Sequence, residues 1–497
     1  MPAGQGTGGS LGTCARVAAA LVVVVALAVA SRADAAPPLQ AKPLRAGPPA
    51  AAIVGTVGGK VVYMEGARGR HGSLTPVPNY WVTDGTERGT HPILKLAGAA
   101  PTGGRARAAA GYPAPARVDA VTSSGRLVFS ADDGVHGWEW WSTDGTEAGT
   151  QMLLDAMPGE ESSLETGDLP IALDNGAVIV PIADPEHGRE WWRTDGTPEG
   201  TELIADVNPG PGSSHFGFLR ADSLPAGNLL YFTAYTGQEV SELWRTDGTA
   251  AGTIPLGVKM SQGGLAGGDV DGELVFTNGS AGSAAELYAS DGTPAGTRPY
   301  YDFPDAPLPG FPEYYFRAAE GRLFVSRHSA LYAIDDAEQP PRYLANFWGP
   351  EPSAILMSGI PDHGKPNRAG FGFTAGSALI FDVYKGFPPI PTRWTSQGTP
   401  ETTVPIDSLV GGPAPTSAVS TGSSRILLSQ ERRKRAALLV SSGAGRAKRV
   451  DMRREVSRLE LSDAAGLDRA TLVLGVSVGS KGERPTSGFW KVKRARR

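Results

Sequence analysis

The sequence predicts an all-β protein, a β-propeller of about eight blades within a range of seven to nine. A strand–turn–strand unit recurs along most of the chain, and turn formers are abundant, with 66 Gly and 41 Pro in 497 residues. Gly and Pro favour the tight turns that join short strands. The unit spans roughly 45–55 residues, which is close to the repeat length of known propeller blades.

Each unit carries an aromatic strand followed by an Asp-Gly-Thr turn. Fainter copies begin at Leu331, Arg393 and Leu438, and GFWKVKR (488–494) is a partial ninth. The five clear copies are YWVTDGTERGT (80–90), WWSTDGTEAGT (140–150), WWRTDGTPEGT (191–201), LWRTDGTAAGT (243–253) and LYASDGTPAGT (287–297).

The chemistry of this repeat is turn chemistry. Asp-Gly favours positive φ at a tight hairpin, because Gly has no Cβ. The Asp carboxylate can accept a backbone N–H two residues further on. We expect the second Gly of each copy to allow another sharp bend. The predicted structural turn residues are Asp84, Gly85, Thr86, Asp144, Gly145, Thr146, Asp195, Gly196, Thr197, Asp247, Gly248, Thr249, Asp291, Gly292 and Thr293.

Large aromatic residues precede each turn. Strand alternation in WEWWST places Trp138 and Trp140 on one face and Trp141 on the other. We expect them to pack between neighbouring sheets; the alternative is that exposed rings stack on sugars. The repeat aromatics are Trp81, Trp141, Trp192, Trp244 and Tyr288.

The two ends of the chain are expected to close the ring. A blade cannot bury both of its faces alone, so it must be stacked between copies of itself. The chain ends after a third-strand-like segment, and LQAKPLRAG (39–47) precedes the first unit. We therefore predict that this segment supplies the missing outer strand of the last blade.

The N-terminus predicts secretion. Arg16 precedes the apolar run 17–30, and Ala33-Asp34-Ala35 follows as a cleavage pattern, the arrangement of a signal peptide. An uncleaved anchor is the alternative. We assign 1–35 to the signal peptide and 36–497 to the propeller. The mature chain would be extracellular, periplasmic or at the cell surface, with no transmembrane segment. It would lack Cys14, the one cysteine, which excludes a disulfide framework and a cysteine nucleophile.

Charge is unevenly distributed along the chain. The whole chain carries −5, and residues 421–497 contain 19 Lys and Arg against 7 Asp and Glu, a net charge of +12. Residues 36–420 carry −18. The basic end could bind polyanions or the cell envelope, or it could be an Arg-rich solvated face. We expect no nucleic-acid partner.

The repeat resembles a known family. SELWRTDGTAAGT (241–253), AELYASDGTPAGT (285–297) and the preceding GVHGWE (134–139) are similar to the ELWxxDGT repeat family of bacterial extracellular proteins. The resemblance is clear over 50–300 and degenerate over 300–497. It implies a tandem β-repeat and no particular activity. Gln397 and Gly443 stand where Asp is expected, which leaves the blade number open.

Repeated acidic residues and histidines raise the question of a metal. Calcium needs six to eight oxygens, and each turn offers one carboxylate. His136 and His187 occupy matching positions beside Glu139 and Glu190, but two isolated imidazoles are a weak ligand set. We therefore expect no metal and no cofactor.

No catalytic residue is assigned. A carboxylate recurs at one position of successive units, as Glu139, Glu190, Glu242 and Glu286, and such recurrence favours a structural role. The leading hypothesis is a secreted, non-enzymatic binding scaffold for envelope polysaccharide or a protein. The alternatives are a propeller-type carbohydrate hydrolase or lyase and a purely structural surface protein. Ligand identity and oligomeric state are left open.

Overall fold

The structure is a computed structural model of the chain. For the strands between residues 417 and 494, and for some other residues, the structure describes the backbone only. The structure describes residues 39–43, 48, 50–68, 74–95, 120–165, 168–214, 223–237, 241–260, 265–278, 286–303, 314–327, 330–347, 353–356, 372–375, 378–385, 390–406, 417–420, 425–432, 435–442, 448–450, 458–467, 470–478 and 486–494.

These residues form nine antiparallel sheets, numbered here in chain order, and most are meanders of four consecutive strands. In sheet 2 a bridge between Val121 and Leu127 precedes three strands. Sheets 1 to 4 comprise β2 Ala50–Val57, β3 Lys60–Arg68, β4 Leu74–Thr83 and β5 His91–Leu94; β6 Leu127–Asp132, β7 Trp138–Thr143 and β8 Gln151–Met152; β9 Ile171–Ala172, β10 Val178–Asp184, β11 Gly188–Thr194 and β12 Glu202–Leu203; and β13 Ser223–Ala226, β14 Leu229–Ala234, β15 Glu242–Thr246 and β16 Ile254–Lys259.

The later sheets repeat the same order. In sheet 7, two short strands pair with the same edge of the longer strand Ala378–Lys385. Sheets 5 to 8 comprise β17 Ala266–Val270, β18 Glu273–Thr277, β19 Leu287–Ser290 and β20 Arg298–Tyr301; β21 Tyr314–Ala319, β22 Arg322–Arg327, β23 Ala330–Ile334 and β24 Arg342–Asn346; β25 Ser353–Leu356, β26 Gly372–Ala375, β27 Ala378–Lys385, β28 Ile390–Ser396 and β29 Val404–Pro405; and β30 Ser417–Ser420, β31 Arg425–Arg432, β32 Arg435–Ser442 and β33 Lys448–Val450. A short 3-10 turn, Pro400–Thr402, precedes β29.

Sheet 9 joins the two ends of the chain. It contains β34 Arg458–Leu467, β35 Ala470–Val478 and β36 Thr486–Arg494, and its outer strand is β1, Leu39–Pro43. β1 pairs with β36 in antiparallel register from Leu39 opposite Arg494 to Pro43 opposite Trp490. β34 also packs against β2 of sheet 1. The described sheets therefore form a closed β-propeller, and closure by the two termini is confirmed.

Apolar side chains fill the space between successive sheets. Along one strand of sheet 2, Leu127 and Phe129 join the core shared with sheet 1, whereas Val128 joins the core shared with sheet 3. This alternation follows from the two-residue period of a strand. Equivalent cores join sheets 3 to 7, and the first strands of sheets 7, 8 and 9 pack in series.

The ring has two faces, which we name by their connections. The turn face holds the Asp-Gly-Thr turns, which join third to fourth strands, and the connections from first to second strands. The loop face holds the connections from second to third strands and those that lead to the next sheet. This division follows because neighbouring strands run in opposite directions.

Candidate functional site

The Asp of each repeat is the acceptor at the centre of its turn. Asp84 Oδ1 accepts hydrogen bonds from the backbone N–H of Thr86 at 2.8 Å and from its hydroxyl at 2.6 Å. Asp144, Asp195, Asp247 and Asp291 make the same two bonds at 2.7–2.9 Å. In two copies these bonds lower the carboxyl pKa, chiefly through the Thr146 hydroxyl at Asp144 and the Thr293 N–H at Asp291. In every copy the Thr after the Gly donates to the Asp: these residues are Thr86, Thr146, Thr197, Thr249 and Thr293.

The first Gly of the turn has positive φ in all five copies. The angles are 79°, 85°, 91°, 88° and 86° at Gly85, Gly145, Gly196, Gly248 and Gly292. A side chain at these positions would strain the backbone. Each of these residues also donates its N–H to the hydroxyl before the Asp, as Gly85 does to Thr83 at 2.9 Å.

The second Gly has a different role from the sharp bend expected from the sequence. A Cβ placed on Gly200 would lie 2.2 Å from Oδ1 of Asp195, and the other four copies give 2.0–2.2 Å. None of these five glycines has positive φ among the described residues. The second Gly is therefore required because the Asp carboxylate occupies the space of a side chain.

Sheet 7 builds the same turn without Asp. Its sequence SQGTPETT (396–403) places Gln397 at the Asp position and Thr402 at the position of the second Gly. The Thr402 hydroxyl accepts the N–H of Gln397 at 3.1 Å and that of Thr399 at 3.3 Å. A hydroxyl from the second-Gly position thus replaces the carboxylate in the turn.

Turn carbonyls also bind the preceding sheet. The Gly196 carbonyl in sheet 3 accepts hydrogen bonds from Arg126 Nε at 2.9 Å and Ser142 Oγ at 2.6 Å in sheet 2. Lys60 and Arg245 reach the next turn in the same way, at Gly145 O (3.2 Å) and Gly292 O (3.0 Å). Each such turn therefore connects two blades.

Four of the five repeat aromatics lie in or against the inter-sheet cores. Trp81 is half-buried and donates its indole N–H to Glu65 at 3.1 Å. Trp141 is 8% exposed and belongs to the core between sheets 1 and 2. Later members pack against successive cores: Trp192 between sheets 2 and 3, Trp244 between sheets 3 and 4, and Tyr288 between sheets 4 and 5.

Trp140 adds a polar bond to this packing. It is 1% exposed and lies on the opposite side of β7 from Trp141. Its indole N–H donates to the Pro181 carbonyl of sheet 3 at 2.9 Å. The ring thus joins two sheets by apolar contact and by a hydrogen bond.

The recurrent glutamates of sheets 2 and 3 are buried. Glu139 is 1% and Glu190 0% exposed. Glu139 accepts the Ser163 hydroxyl and N–H, and Glu190 accepts the Ser214 hydroxyl at 2.6 Å. Burial raises the pKa of each carboxyl to about 7, against the lowering effect of these hydrogen bonds. Each glutamate holds the segment that leaves its sheet.

Glu242 and Glu286 occupy different surroundings. Glu242 is half-buried and lies opposite Ala234 and Lys259 in sheet 4. Glu286 is exposed. The four glutamates of the repeat position therefore lie in unlike surroundings.

Sequence reasoning missed the serine partners of the buried glutamates. Ser163 and Ser214 each follow their glutamate by 24 residues. They end the related segments PGEESS (158–163) and PGPGSS (209–214). The recurrence of these segments is the sequence signal for the two serines.

The two histidines each pair with an Asp on their own turn. His136 Nδ1 lies 2.9 Å from Asp133 Oδ2, and His187 Nδ1 lies 3.0 Å from Asp184 Oδ2. This hydrogen bond raises the pKa of each imidazole. Within the described ranges, no group of three or more His, Cys, Asp or Glu is arranged to hold a metal ion.

Small residues occupy the exposed positions of several first strands. Ala172, Pro225 and Ala318 are the exposed residues of β9, β13 and β21. Asp269 on β17 is half-buried and accepts the Gly272 N–H at 2.7 Å within its own hairpin. These four strands therefore offer no pair of free carboxylates toward the centre of the ring.

The expected signal peptide (1–35) lies outside the described residues. In the described part of the chain, no helix is long and apolar enough to span a membrane.

Comparisons with known proteins give similarity at the level of fold. No protein-family model and no curated protein matches the chain. Among solved structures, puromycin hydrolase matches with a TM-score of 0.35 at 14% identity, covering 80% of this chain and 58% of that one. An oligogalacturonate lyase in complex with manganese gives 0.35 at 12% identity, covering 76% and 88%. The tricorn protease gives 0.27 at 12% identity, and this chain covers 39% of it.

Proposed function

We propose that this protein is a secreted or surface-exposed, non-enzymatic scaffold that binds envelope polysaccharide or a protein partner. One observation carries the proposal: the repeated polar and aromatic residues of sheets 1 to 5 are engaged within the propeller itself. The Asp residues build turns, Glu139 and Glu190 hold segments of their own sheets, and the aromatics pack between sheets. The resemblance to the ELWxxDGT repeat family supports the same role, because it implies a repeat and not a reaction.

The binding role needs exposed contact residues. Tyr343 on the outer strand β24 is 51% exposed, and its ring meets Tyr332 edge-on at 5.8 Å. A rigidly held aromatic ring with an exposed face can contact a sugar ring or a protein side chain. We therefore place Tyr343 on the binding surface of the scaffold.

Retention of purified protein on immobilised envelope polysaccharides and envelope proteins tests the proposal. We expect retention on at least one of these ligands, weakened by Tyr343→Ala and unchanged by Val135→Ala, which trims an exposed aliphatic residue (46%). Absence of retention across both panels would favour the purely structural alternative.

The alternative of a hydrolase or lyase keeps one supporting observation. Carboxyl groups with a pKa near 7 are common in enzymes, and Glu139 and Glu190 have them. Turnover of polysaccharides, measured as new reducing ends or unsaturated products, separates the two roles. Turnover that disappears in Glu139→Gln or Glu190→Gln would establish an enzyme and overturn the scaffold proposal.

A further inference from the structure

The turn face changes charge around the ring. After the third strand, sheets 1 to 6 all place an Asp on this face and sheet 7 places Gln397, whereas in the sequence the residue that follows β32 of sheet 8 is Gly443. Sheet 9 has no turn here, because β36 ends at Arg494 and its outer strand comes from the N-terminus. The six acidic positions are Asp84, Asp144, Asp195, Asp247, Asp291 and Asp335.

Basic residues replace the acidic ones in sheets 8 and 9. At the turn face, β31 begins with Arg425, β33 begins with Lys448-Arg449, and β36 ends with Lys493-Arg494. No acidic residue lies within these strand ends. At the loop face the described strand ends of the same sheets hold three arginines together with two glutamates: Arg432, Arg435, Arg458, Glu431 and Glu460. Among the described strand ends of these sheets, the excess positive charge is therefore concentrated at the turn face.

The N-terminal segment enters the ring at this same face. Leu39 begins β1 and lies opposite Arg494. The apolar run 17–30 ends nine residues earlier, and nine extended residues span at most about 30 Å. A run of this kind is membrane-directed whether it is later removed or retained. The basic turn face of sheets 8 and 9, here called the basic sector, thus lies within reach of the bilayer as long as this run is attached. After cleavage behind Ala35, its charge alone would hold it at the membrane.

We propose that the turn face of sheets 8 and 9 docks on a membrane surface rich in anionic phospholipid headgroups. Lys and Arg near such a surface are attracted to it, and the attraction decays within a Debye length. The acidic turns of sheets 1 to 5 lie on the same face and are repelled, whereas Asp335 of sheet 6 is paired with Arg322 and Arg342. The propeller therefore tilts, with sheets 8 and 9 against the lipid and sheets 2 to 5 away from it. This proposal rests on the secreted or surface location proposed above, and it names anionic phospholipid as a binding partner of the scaffold.

Vesicle flotation tests the docking surface directly. Residues 36–497 contain every described strand, so this chain is used without the apolar run. We expect it to float with phosphatidylcholine vesicles containing phosphatidylglycerol at low salt. It should remain unbound to pure phosphatidylcholine and be released by salt. Arg425→Gln/Arg449→Gln should lower the bound fraction about tenfold or more.

A charge-matched variant at the other face is the control. Arg432→Gln/Arg435→Gln removes the same charge, and Arg432 is the opposite end of the strand that Arg425 begins. We expect this variant to bind vesicles like the parent. Both variants should keep the parent's melting temperature; if the turn-face pair does not, Lys493→Gln/Arg494→Gln takes its place.

Three results would overturn the proposal. They are no flotation with anionic vesicles at low salt, equal loss in both variants, and a salt-sensitive dimer without lipid that the turn-face variant abolishes. The last result would identify a second copy as the occupant, its acidic turns facing this basic sector. Retention on polysaccharide or protein panels is measured separately with Tyr343→Ala, so failure of membrane docking is distinguishable from failure of the scaffold role.

Discussion

At the residue scale, the repeat contains two alternative ways to fill one small space. TDGTPEGT in sheet 3 and SQGTPETT in sheet 7 differ at the Asp position, at the second-Gly position and by Ser for Thr at the start. In sheet 3 the carboxylate of Asp195 lies where a side chain of Gly200 would be. In sheet 7 the Thr402 side chain occupies the corresponding position and supplies the acceptor. The two positions therefore must change together.

This coupling predicts a rescue. Gly200→Thr alone should destabilise the protein by about 1–3 kcal/mol, because the new Cβ collides with the Asp195 carboxylate. Asp195→Gln alone should cost about 1 kcal/mol through the lost bonds to Thr197. The double variant should cost less than the sum of the two, as measured by chemical unfolding. Strict additivity would contradict the coupling.

The buried glutamates give the protein a pH-dependent stability. Their folded pKa of about 7 lies above the ordinary value of 4.5. The folded state therefore holds the proton more tightly, and this contribution is complete below about pH 4.5 and lost as pH rises through about 7. The raised pKa values of His136 and His187 act in the same direction, since Asp133 and Asp184 stabilise the imidazolium.

We therefore expect the free energy of unfolding to fall between about pH 5 and about pH 8. The loss from each glutamate should be of the order of 3 kcal/mol. Glu139→Gln/Glu190→Gln should flatten most of this slope and leave a smaller one from the histidines. Ser163→Ala is informative as a partner variant, because it should raise the Glu139 pKa further by removing the hydroxyl that lowers it. An unchanged slope in the double glutamine variant would exclude these groups as its source.

Sequence reasoning predicted the turn residues because Asp and Gly have local preferences. It could not find Ser163 as the partner of Glu139, because that contact joins positions 24 residues apart. Sequence reasoning also predicted that the second Gly is needed for a sharp bend of the backbone. The actual requirement is a side-chain collision with Asp195 and its equivalents, which depends on three-dimensional placement.

At the element scale, the turn joins neighbouring blades as well as two strands of one blade. Arg126, just before β6, donates to the turn of its own sheet at Gly149 O and to the next sheet's turn at Gly196 O. Arg322 similarly reaches Gln397 O of sheet 7. A turn of fixed shape thus holds its carbonyl at a defined position for the preceding blade. Because the turn carbonyl accepts a hydrogen bond from the preceding blade, the turn must keep the same shape in copies with and without Asp.

Removing one such connection should loosen two turns at once. Arg126→Ala is expected to cost about 1.5–3 kcal/mol, the range for hydrogen bonds to charged groups. It should speed amide exchange at 144–150 and 195–201 together. Arg126→Lys should lie between parent and alanine, since an ammonium group lacks the planar set of donors. Faster exchange confined to 144–150 would show that the bond to Gly196 contributes nothing.

Strands were predicted well where alternation and turn chemistry agree, as in WEWWST, which is β7. The segment QMLLDA (151–156) has the apolar residues of a longer strand, but β8 covers only Gln151–Met152. Leu153 makes one more backbone bond, to the Trp140 carbonyl at 2.8 Å. Beyond it the chain turns toward Ser163, which bonds Glu139. A tertiary contact therefore ends this strand, and the strand propensity of residues 151–156 cannot reveal where it ends.

At the scale of the whole molecule, the blade number depends on a contact between the two ends of the chain. The sequence predicted about eight blades, and the described residues form nine sheets, the upper limit of the expected range. The partial copy at 488–494 becomes a full blade because β1 supplies its fourth strand. The degenerate copies of sheets 7 to 9 retain strand pairing after losing the Asp, so the motif alone undercounts them.

Closure predicts that a covalent link between β1 and β36 stabilises the ring. Ala41 and Val492 are registered partners, so the two positions belong to one face of sheet 9. In the chain from residue 36, Ala41→Cys/Val492→Cys places the only two thiols opposite each other, at a spacing suited to a disulfide. Oxidation should raise the free energy of unfolding by about 2–4 kcal/mol over the reduced form.

The register supplies the control for this link. Lys491 neighbours Val492 along β36 but is the partner of Lys42, so this position belongs to the other face of the sheet. Ala41→Cys/Lys491→Cys should therefore form little disulfide under the same oxidation. Equal cross-linking of both pairs would indicate that β1 slides along β36, because a slip of one residue exchanges the two faces. Thiol titration of the folded protein, followed by melting with and without reductant, distinguishes a fixed closure from a sliding one.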